Sequence, residues 1–428
     1  MIRSLNRLNL RAMLQAAAVQ VLLLRERLES GVSFNPLASR LREDPYPHYR
    51  RLRERDPVHR SRLAQGWVLT RYDDVAAVLR DPRFSVDRSL AFPGSDPTAP
   101  DGGFGPFFGS LSRTILFKDP PDHTRLRTLV STAFTPRAVE LLRPRIQEIV
   151  DELLDAAKQR GSMDVIPDLA VPLPVIVIAE LLGIPPEDRE RFKGWSHVVA
   201  EGLEPVLDRN VIRRANAVTQ ELEGYFADII RERRAHPRED IISRLVAAEE
   251  AGDRLDEAEM LAFCQLLLVA GNETTTNLIG NGLLALLRHP DQLQRLRDDP
   301  ALVESAVEEL LRFDSPVQMT GRIALQDLEL GGRPIGKNTF VLPLIGAANR
   351  DPLQFADPDR LDIGRRDNRH LSFGQGIHYC LGAPLARAEA QIAFGRLIER
   401  SARIELASPP RWRHTITLRG LASLPVRL

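Results

Sequence analysis

Apolar residues recur every three or four positions along most of this chain, which is the spacing of amphipathic α-helices. The clearest helical stretches cover residues 136–158, 210–234, 256–288, 301–312 and 384–400. Apolar runs of the length and composition of β-strands are fewer, and the better ones cover residues 67–70, 323–330 and 340–345. The pattern therefore predicts a mainly α protein with small β-sheets.

The stretch 256–288 is the longest of these predicted helices. Asp256 followed by Glu259 is typical of a capping box at its start. Residues 266–270 are apolar on every side, which predicts a helix that runs through the centre of the molecule. The polar block 271–276 follows at the point of deepest burial, and we expect a local widening of the helix there that frees a backbone carbonyl.

The distribution of Pro and Gly indicates one domain. Both residues concentrate between positions 92 and 109, and no other segment resembles a linker. We expect one domain over residues 35–428 with a long loop that is functional or mobile, preceded by a helical N-terminal extension over residues 1–34. The apolar run of the extension, 12–24, is shorter than the roughly 20 residues of a membrane span, and it lacks the cleavage site of a secretory signal. The extension therefore packs on the protein body, which we favour, or lies on a membrane surface.

Charge and cysteine content narrow the class of protein. The chain has 428 residues, with 58 basic and 58 acidic side chains and a net charge of zero. Because the chain has no excess of positive charge to attract phosphate groups, its charge does not indicate a nucleic-acid-binding protein. The two cysteines, Cys264 and Cys380, cannot form a disulfide framework, so a cytoplasmic location fits best.

The strongest chemical signal is the segment FGQGIHYCLGAP over residues 373–384. Cys380 lies just ahead of a predicted helix that begins near Pro384, where backbone N–H groups and the helix dipole stabilise a thiolate. The glycines at 374, 376 and 382 let the backbone approach a flat ligand closely. One cysteine cannot build a zinc or iron–sulfur site, whereas one thiolate suffices as the axial ligand of haem iron.

This segment matches completely the F-G-x-G-x-H-x-C-x-G signature of the cytochrome P-450 family of haem-thiolate monooxygenases, which the chain resembles from about residue 35 to residue 428. Three further family motifs occur in the expected order. They are H-x-x-x-R at 123–127, A-G-x-[D/E]-T at 270–274 and E-x-x-R at 309–312. The resemblance implies a triangular helical body with a long central helix across haem b, which is iron protoporphyrin IX.

The resemblance also implies which residues hold the haem, with Cys380 as the axial ligand of the iron. His123 and Arg127 lie one helical turn apart, which suits one propionate. Arg322 and His378 are implied donors to the propionates as well. The remaining implied haem contacts are Ala270, Gly271, Phe373, Gly374 and Gly382.

Two acidic residues have different implied roles. Splitting bound dioxygen needs protons while bulk water stays out, and Thr274 with Glu273 fits that task. The hydroxyl of Thr274 would lie beside the oxygen, and the carboxylate of Glu273 would relay protons from solvent. A salt bridge from Glu273 to a surface arginine is the structural alternative, and both roles can coexist. Glu309 and Arg312 are implied to form a buried structural pair that holds the cysteine loop, together with Arg360.

The function that follows is insertion of one oxygen atom of O2 into a C–H bond, as hydroxylation or epoxidation. No dinucleotide-binding fingerprint is present, so reducing equivalents from NAD(P)H must arrive through a separate ferredoxin-type donor and its reductase, for which Arg125 and Arg387 are candidate docking residues. The substrate is expected to be a hydrophobic small molecule such as a terpenoid, steroid, polyketide or fatty acid, free or bound to a carrier protein. Its pocket is expected to be lined by Phe92, Phe107, Phe108, Val269, Ala270, Val317, Met319 and Leu421.

Two alternative functions are compatible with the cysteine loop. A peroxide-driven haem-thiolate fatty-acid hydroxylase needs no electron donor, although its known forms lack the acid–alcohol pair that Glu273 and Thr274 supply. A haem-based sensor or ligand carrier without turnover belongs to a different class of protein, and the complete proton-relay motif argues against it.

Overall fold

Helices dominate the computed structural model, which describes residues 17–91, 105–131, 134–204, 209–250 and 255–428. The helices are α1 (17–30), α2 (Ser39–Glu43), α3 (Tyr46–Arg55), α4 (Tyr72–Arg80), α5 (Gly105–Leu111), α6 (Asp122–Ser131), α7 (Pro136–Arg160), α8 (Pro172–Leu181), α9 (Arg189–Glu201), α10 (Arg209–Ala235), α11 (Ile241–Glu250), α12 (Glu257–Arg288), α13 (Pro290–Asp298), α14 (Val303–Phe313), α15 (Ile345–Ala348) and α16 (Ala383–Arg400). The five predicted helices are confirmed as α7, α10, α12, α14 and α16, with ends that differ by at most two residues.

The described strands are short. They are β1 (Val58–Ser61), β2 (Gly66–Leu69), β3 (Phe84–Ser85), β4 (Met163–Asp164), β5 (Arg322–Ala324), β6 (Leu328–Leu330), β7 (Arg333–Ile335), β8 (Phe340–Pro343), β9 (Glu405–Leu406), β10 (Arg411–Trp412), β11 (Leu421–Ser423) and β12 (Pro425–Arg427). Five of them form a sheet in the order β1-β2-β8-β5-β3, in which β2 and β8 are parallel and the other neighbours antiparallel. The prediction of one strand over 323–330 is wrong, because the chain bends at 325–326 and β6 pairs with β7 in a separate sheet.

Helix α12 lies at the centre of the fold, as its apolar pattern predicts. Asp256 and Glu259 form the predicted capping box, since each carboxylate accepts a hydrogen bond from the other residue's backbone N–H, at 2.7 and 3.2 Å. Helices α8, α9, α10, α14 and α16 pack around α12. Most of its 32 residues are therefore buried.

The polar block of α12 stays α-helical throughout, so the predicted widening is wrong. Thr274 Oγ1 donates a hydrogen bond to the carbonyl oxygen of Ala270 at 2.8 Å. Asn272 Nδ2 donates to Ser196 Oγ at 2.9 Å. These bonds satisfy polar side chains inside the fold, so the helix does not have to open to accommodate them.

Helix α1 packs on the β1-β2 hairpin through a buried carboxylate. Glu26 accepts hydrogen bonds from the backbone N–H of Phe34 at 2.9 Å and of Arg62 at 2.6 Å. His59 lies between Glu26 and Asp56, 3.3 and 3.0 Å from their carboxylate oxygens. Burial acts to lower the pKa of His59, but the two carboxylates raise it overall. Within the described ranges, no helix is long and apolar enough to cross a membrane.

Candidate active site

The cysteine loop combines tight turns with close packing. Cys380 follows a short 3₁₀ turn that begins at Gly376, and its N–H donates to the carbonyl oxygen of Phe373 at 2.9 Å. Gly374 and Gly376 have φ angles of +72° and +70°, which L side chains rarely adopt. A Cβ atom on Gly376 would lie 2.8 Å from the carbonyl oxygen of Leu79. That glycine therefore lets the loop pack against α4, and its approach to a flat ligand stays a prediction.

The Cys380 side chain is exposed and lies three residues ahead of α16. Across the described residues, no group of three or more His, Cys, Asp or Glu residues could hold a metal ion. Desolvation raises the pKa of the Cys380 thiol, while the N–H of Gly382 and the charges of Arg127 and Arg387 lower it. The backbone N–H and cationic groups thus favour the thiolate as predicted, but desolvation outweighs them.

Four basic side chains from three parts of the chain meet beside the cysteine loop. His123 and Arg127 belong to α6, Arg322 to β5 and His378 to the loop itself. The rings of His123 and His378 lie with their centroids 4.4 Å apart. Burial, with the charges of Arg322, His123 and Arg127, lowers the pKa of His378 to about 3. A cluster of donors of this kind is suited to bind anionic groups.

His123 is the clearest test of whether a haem propionate fits. Both its ring nitrogens are buried without a hydrogen-bond partner among the described residues, although buried polar atoms are nearly always hydrogen-bonded. Backbone carbonyl groups orient the two neighbouring guanidinium groups. Arg127 donates to the carbonyl oxygen of Tyr379 at 2.7 Å, and Arg322 donates to that of Gly321 at 2.8 Å. The donor set therefore fits the carboxylates of haem.

The A-G-x-E-T stretch of α12 is accessible although the helix around it is buried. Ala270 is exposed and Gly271 and Thr274 are partly exposed, whereas Val269 and Asn272 are buried. A Cβ atom on Gly271 would meet nothing within 4 Å. An open surface in the middle of a central helix is what a flat cofactor and a small ligand above it require.

Glu273 is 5% exposed and is held by two cationic side chains. Arg413 Nη1 forms a close ion pair with Glu273 Oε2, and His197 Nδ1 lies 3.6 Å from Glu273 Oε1. The salt-bridge alternative for Glu273 is therefore observed, although the side chain of Arg413 is only 15% exposed. The sequence indicated an arginine partner for Glu273 but identified neither Arg413 nor His197, because each lies far from Glu273 along the chain and neither stands in a motif.

Glu309 and Arg312 form the buried pair that the family motif implies. Two hydrogen bonds of 2.8 Å join their side chains, and both are 0% exposed. The expectation that Arg360 completes the pair is wrong, since it contributes its carbonyl oxygen at 3.3 Å. The second guanidinium is that of Arg365, whose Nε donates to Glu309 at 3.1 Å. Arg312 also donates to the carbonyl oxygen of Asn349 at 2.9 Å, so the pair ties together segments that precede the cysteine loop.

A second buried acid joins the helix after the cysteine to the central helix. Glu389 of α16 is buried and hydrogen-bonded to Thr275 of α12. Burial raises the pKa of Glu389 to about 8, so its carboxyl is protonated at neutral pH. No sequence signal pointed to Glu389, because its burial depends on the packing of α16 against α12.

The two arginines that are candidates for docking an electron-donor protein already form ion pairs with carboxylates of this chain. Arg125 donates two hydrogen bonds to Glu259, at 3.0 and 2.5 Å, and Arg387 donates two to Glu308, at 2.7 and 2.8 Å. Each arginine keeps about 30% of its side chain exposed. A docking protein would therefore meet ion pairs at these positions.

The predicted pocket residues fall into three groups. Those with accessible surface are Phe108, Ala270 and Val317. Those buried in the apolar core are Phe107, Val269, Met319 and Leu421. Phe92 lies outside the described residues. Contact of any of them with a substrate stays a prediction.

Comparison with known proteins matches residues 202–402 to the cytochrome P450 family. The chain is 45% identical to cytochrome P450 107B1 of Saccharopolyspora erythraea over 393 residues, which cover 90% of this chain and 95% of that protein. It is 43% identical to the polyketide biosynthesis cytochrome P450 PksS of Bacillus subtilis over 405 residues, which cover 92% and 98%. A crystal structure of P450BioI in complex with hexadec-9Z-enoic acid ligated acyl carrier protein has a TM-score of 0.86 and 42% identity, covering 91% of this chain and 100% of that one.

Proposed function

The chain belongs to the cytochrome P450 family, and from that premise we propose that it inserts one oxygen atom of O2 into a C–H bond of a hydrophobic small molecule. Members of this family are oxidoreductases that hold haem through a cysteine thiolate. One observation carries the proposal. The accessible stretch at Ala270, Gly271 and Thr274 lies beside the buried, ion-paired Glu273, which supports a hydroxyl at an open surface with a carboxylate as its proton relay.

The chain's own residues would divide the work. Haem b bound through Cys380 would supply the binding and reduction of O2. The propionates would be held by charge-assisted hydrogen bonds from His123, Arg127, Arg322 and His378. The ring would contact Ala270, Gly271, Phe373, Gly374 and Gly382. Thr274 would donate a proton at the open surface. Glu273 would take up a proton from solvent and pass it on to Thr274, while the apolar surroundings exclude bulk water.

The Soret band of the ferrous carbon monoxide complex tests the ligand assignment, because its long-wavelength position reports an axial thiolate. We expect that band for the wild type and its loss in Cys380→Ala. Cys264→Ala is the matched control, because that second thiol is buried in the core, and it should keep the band. A long-wavelength band in Cys380→Ala would overturn the assignment.

Electrons would come from NAD(P)H through a separate ferredoxin-type donor and its reductase. The acid–alcohol pair supports this route, since a peroxide-driven enzyme needs no protons for O2 reduction. Turnover with a plant-type ferredoxin and its reductase should exceed turnover with hydrogen peroxide. The reverse ratio would favour the alternative, a peroxide-driven fatty-acid hydroxylase.

The substrate class is an apolar chain or ring system of the terpenoid, steroid, polyketide or fatty-acid kind. One relative is named for polyketide biosynthesis and one structural neighbour holds an acyl chain on a carrier protein, which supports the last two classes. The test is a titration of the ferric enzyme with a macrolide, testosterone, myristic acid and myristoyl acyl carrier protein, following the shift from low to high spin. A response to the carrier-bound chain alone would indicate a tethered substrate. Silence with all four would contradict the steroid, polyketide and fatty-acid classes and favour the haem sensor.

Peripheral contact with an anionic membrane is the proposed role of the N-terminal helix. Val21, Leu24 and Leu28 are exposed on the face of α1 opposite Leu23 and Glu26, which pack on the body. The sequence before Glu26 contains arginines at 3, 7, 11 and 25 and no acidic residue. An apolar stripe flanked by arginines suits an anionic lipid surface.

Sedimentation with vesicles tests this contact. Binding to phosphatidylglycerol vesicles should exceed binding to phosphatidylcholine vesicles, and Leu24→Glu should abolish the difference. The control is Leu353→Glu, which alters an exposed leucine far from α1 in the chain. A dimer that Leu24→Glu dissociates, without vesicle binding, would assign the stripe to a second copy of the chain instead.

A further inference from the structure

Among the described contacts of Glu273, the one with His197 connects its buried carboxylate to the protein surface. Its Oε2 is paired with Arg413, whose guanidinium is largely buried and also donates through Nε to the carbonyl oxygen of Leu421 at 3.1 Å. Its Oε1 lies 3.6 Å from Nδ1 of His197, whose side chain is 54% exposed. His197 therefore links a buried carboxylate to water at the surface.

The two cationic partners differ in what they can do with a proton. A guanidinium group stays protonated at ordinary pH, so Arg413 can hold the charge of Glu273 but cannot exchange protons with it. An imidazole gains and loses a proton near neutral pH. His197 is therefore the partner that can change the protonation of Glu273.

Charged groups from four parts of the fold surround His197. The nearby carboxylate of Glu273 of α12 raises the pKa of His197 most, and burial opposes this rise. Arg413 of the C-terminal segment lowers the pKa, whereas Glu201 of its own helix α9 raises it, and the net direction is upward. Glu201 Oε1 lies 3.6 Å from His197 Nε2, and Arg214 of α10 is paired with Glu201 at 2.5 Å. The ring therefore stays protonated to higher pH than a free histidine.

We propose that His197 passes protons from bulk solvent to Glu273, an inference that rests on the proposed relay function of Glu273. The N–H bond at Nδ1 of the protonated ring breaks and an O–H bond forms at Oε1 of Glu273. The neutral ring, which is exposed, then takes up another proton from bulk water. Neutralising the carboxylate weakens its pairing with Arg413, which frees the Glu273 side chain to turn toward Thr274, the next residue of α12.

The first test compares His197→Gln with His236→Gln in the holoenzyme. His236 is an exposed histidine outside the site, so its variant is the matched control. The measurement is NADPH oxidation with saturating plant-type ferredoxin and its reductase, between pH 6 and 9, in H2O and D2O. For wild type and His236→Gln we expect a rate that falls as pH rises. His197→Gln should be slower by about tenfold at low pH, independent of pH and with a larger solvent isotope effect.

The second test does not depend on turnover. In the ferrous carbon monoxide complex labelled with ¹⁵N-histidine, the resonance lost in His197→Gln identifies His197, and its titration gives the pKa directly. That pKa should fall in Glu273→Gln, because the neighbouring negative charge is gone. An unchanged pKa would overturn the proposed contact.

The outcomes separate the two levels of the argument. If Glu273→Gln oxidises NADPH with the wild-type rate and isotope effect, the proposed relay function of Glu273 fails. If Glu273→Gln is slow while His197→Gln matches wild type at every pH, the function of Glu273 stands and the role of His197 is wrong.

Discussion

Two buried carboxylate–arginine pairs in this protein share their chemistry and differ in their access to water. Glu309 and Arg312 are fully buried, and the donors of Arg312 end on the partner carboxylate and on backbone carbonyl groups. Glu273 and Arg413 also form a close pair, but the second oxygen of Glu273 faces the exposed ring of His197.

The difference indicates what each pair can do. A fully enclosed pair loses the solvation of both charges, and only complete hydrogen bonding compensates for that loss of free energy. Such a pair therefore stabilises the one arrangement of the chain in which all its hydrogen bonds are made. A pair with a titratable neighbour at the surface can change its protonation without unfolding the protein. Enclosure is therefore the property that separates the structural pair from the proposed relay.

Arg312→Ala should have the largest effect on folding, because it leaves the Glu309 carboxylate buried beside one remaining guanidinium. We expect a loss of about 3–5 kcal/mol in the free energy of unfolding, measured on the holoenzyme with urea, and a lower haem content. Arg234→Ala removes a partly exposed partner of Glu249 and should cost less than about 1 kcal/mol. Equal losses in both variants would mean that enclosure is not what makes the pair structural.

Glu273→Gln should impair catalysis far more than folding. We expect the proton-dependent rate of O2 reduction to fall about 100-fold, while the free energy of unfolding changes by less than about 1.5 kcal/mol. The matched control is Glu180→Gln, which alters a partly exposed partner of Arg145 on the surface. If Glu273→Gln unfolded as readily as Arg312→Ala, the two pairs would both be structural.

Glu389→Gln tests a buried acid that has no cationic partner in its described contacts. Its folded-state pKa of about 8 is above the ordinary value of 4.5, so the folded protein holds a proton that the unfolded chain loses between these values. The free energy of unfolding should therefore fall with rising pH across this range, by up to about 1.4 kcal/mol per pH unit. The Gln variant should lose that part of the slope. An unchanged slope in urea unfolding series would show that Glu389 titrates normally.

The smallest effect is expected at an ion pair that water surrounds. Arg25 lies 3.4 Å from Glu29 on α1, and its side chain is 66% exposed. Arg25→Gln should change the free energy of unfolding by less than about 0.5 kcal/mol, which thermal denaturation can check. A larger loss would mean that solvent access does not rank these pairs.

Local patterns predicted much of the fold and indicated the loop around Cys380 as the candidate site. Helical periodicity located α12, and the Asp256–Glu259 spacing predicted its capping box, because both depend on neighbours within a few residues. The same patterns failed where a local rule met a tertiary contact. The polar block of α12 suggested a widened helix, but Ser196 of α9 and the helix's own carbonyl group satisfy its side chains.

By itself, the sequence determined the helical elements, the position of Cys380 in its glycine-rich loop and the order of the motifs, since each is a property of residues close together in the chain. Only the tertiary structure decided which groups are enclosed and which meet. It brought Arg413 and His197 to Glu273 and placed Arg365 rather than Arg360 beside Glu309. It also buried Glu389 of α16, which has no cationic partner among its described contacts. Burial and long-range pairing depend on how whole helices pack, so they have no signature in the spacing of residues along the chain.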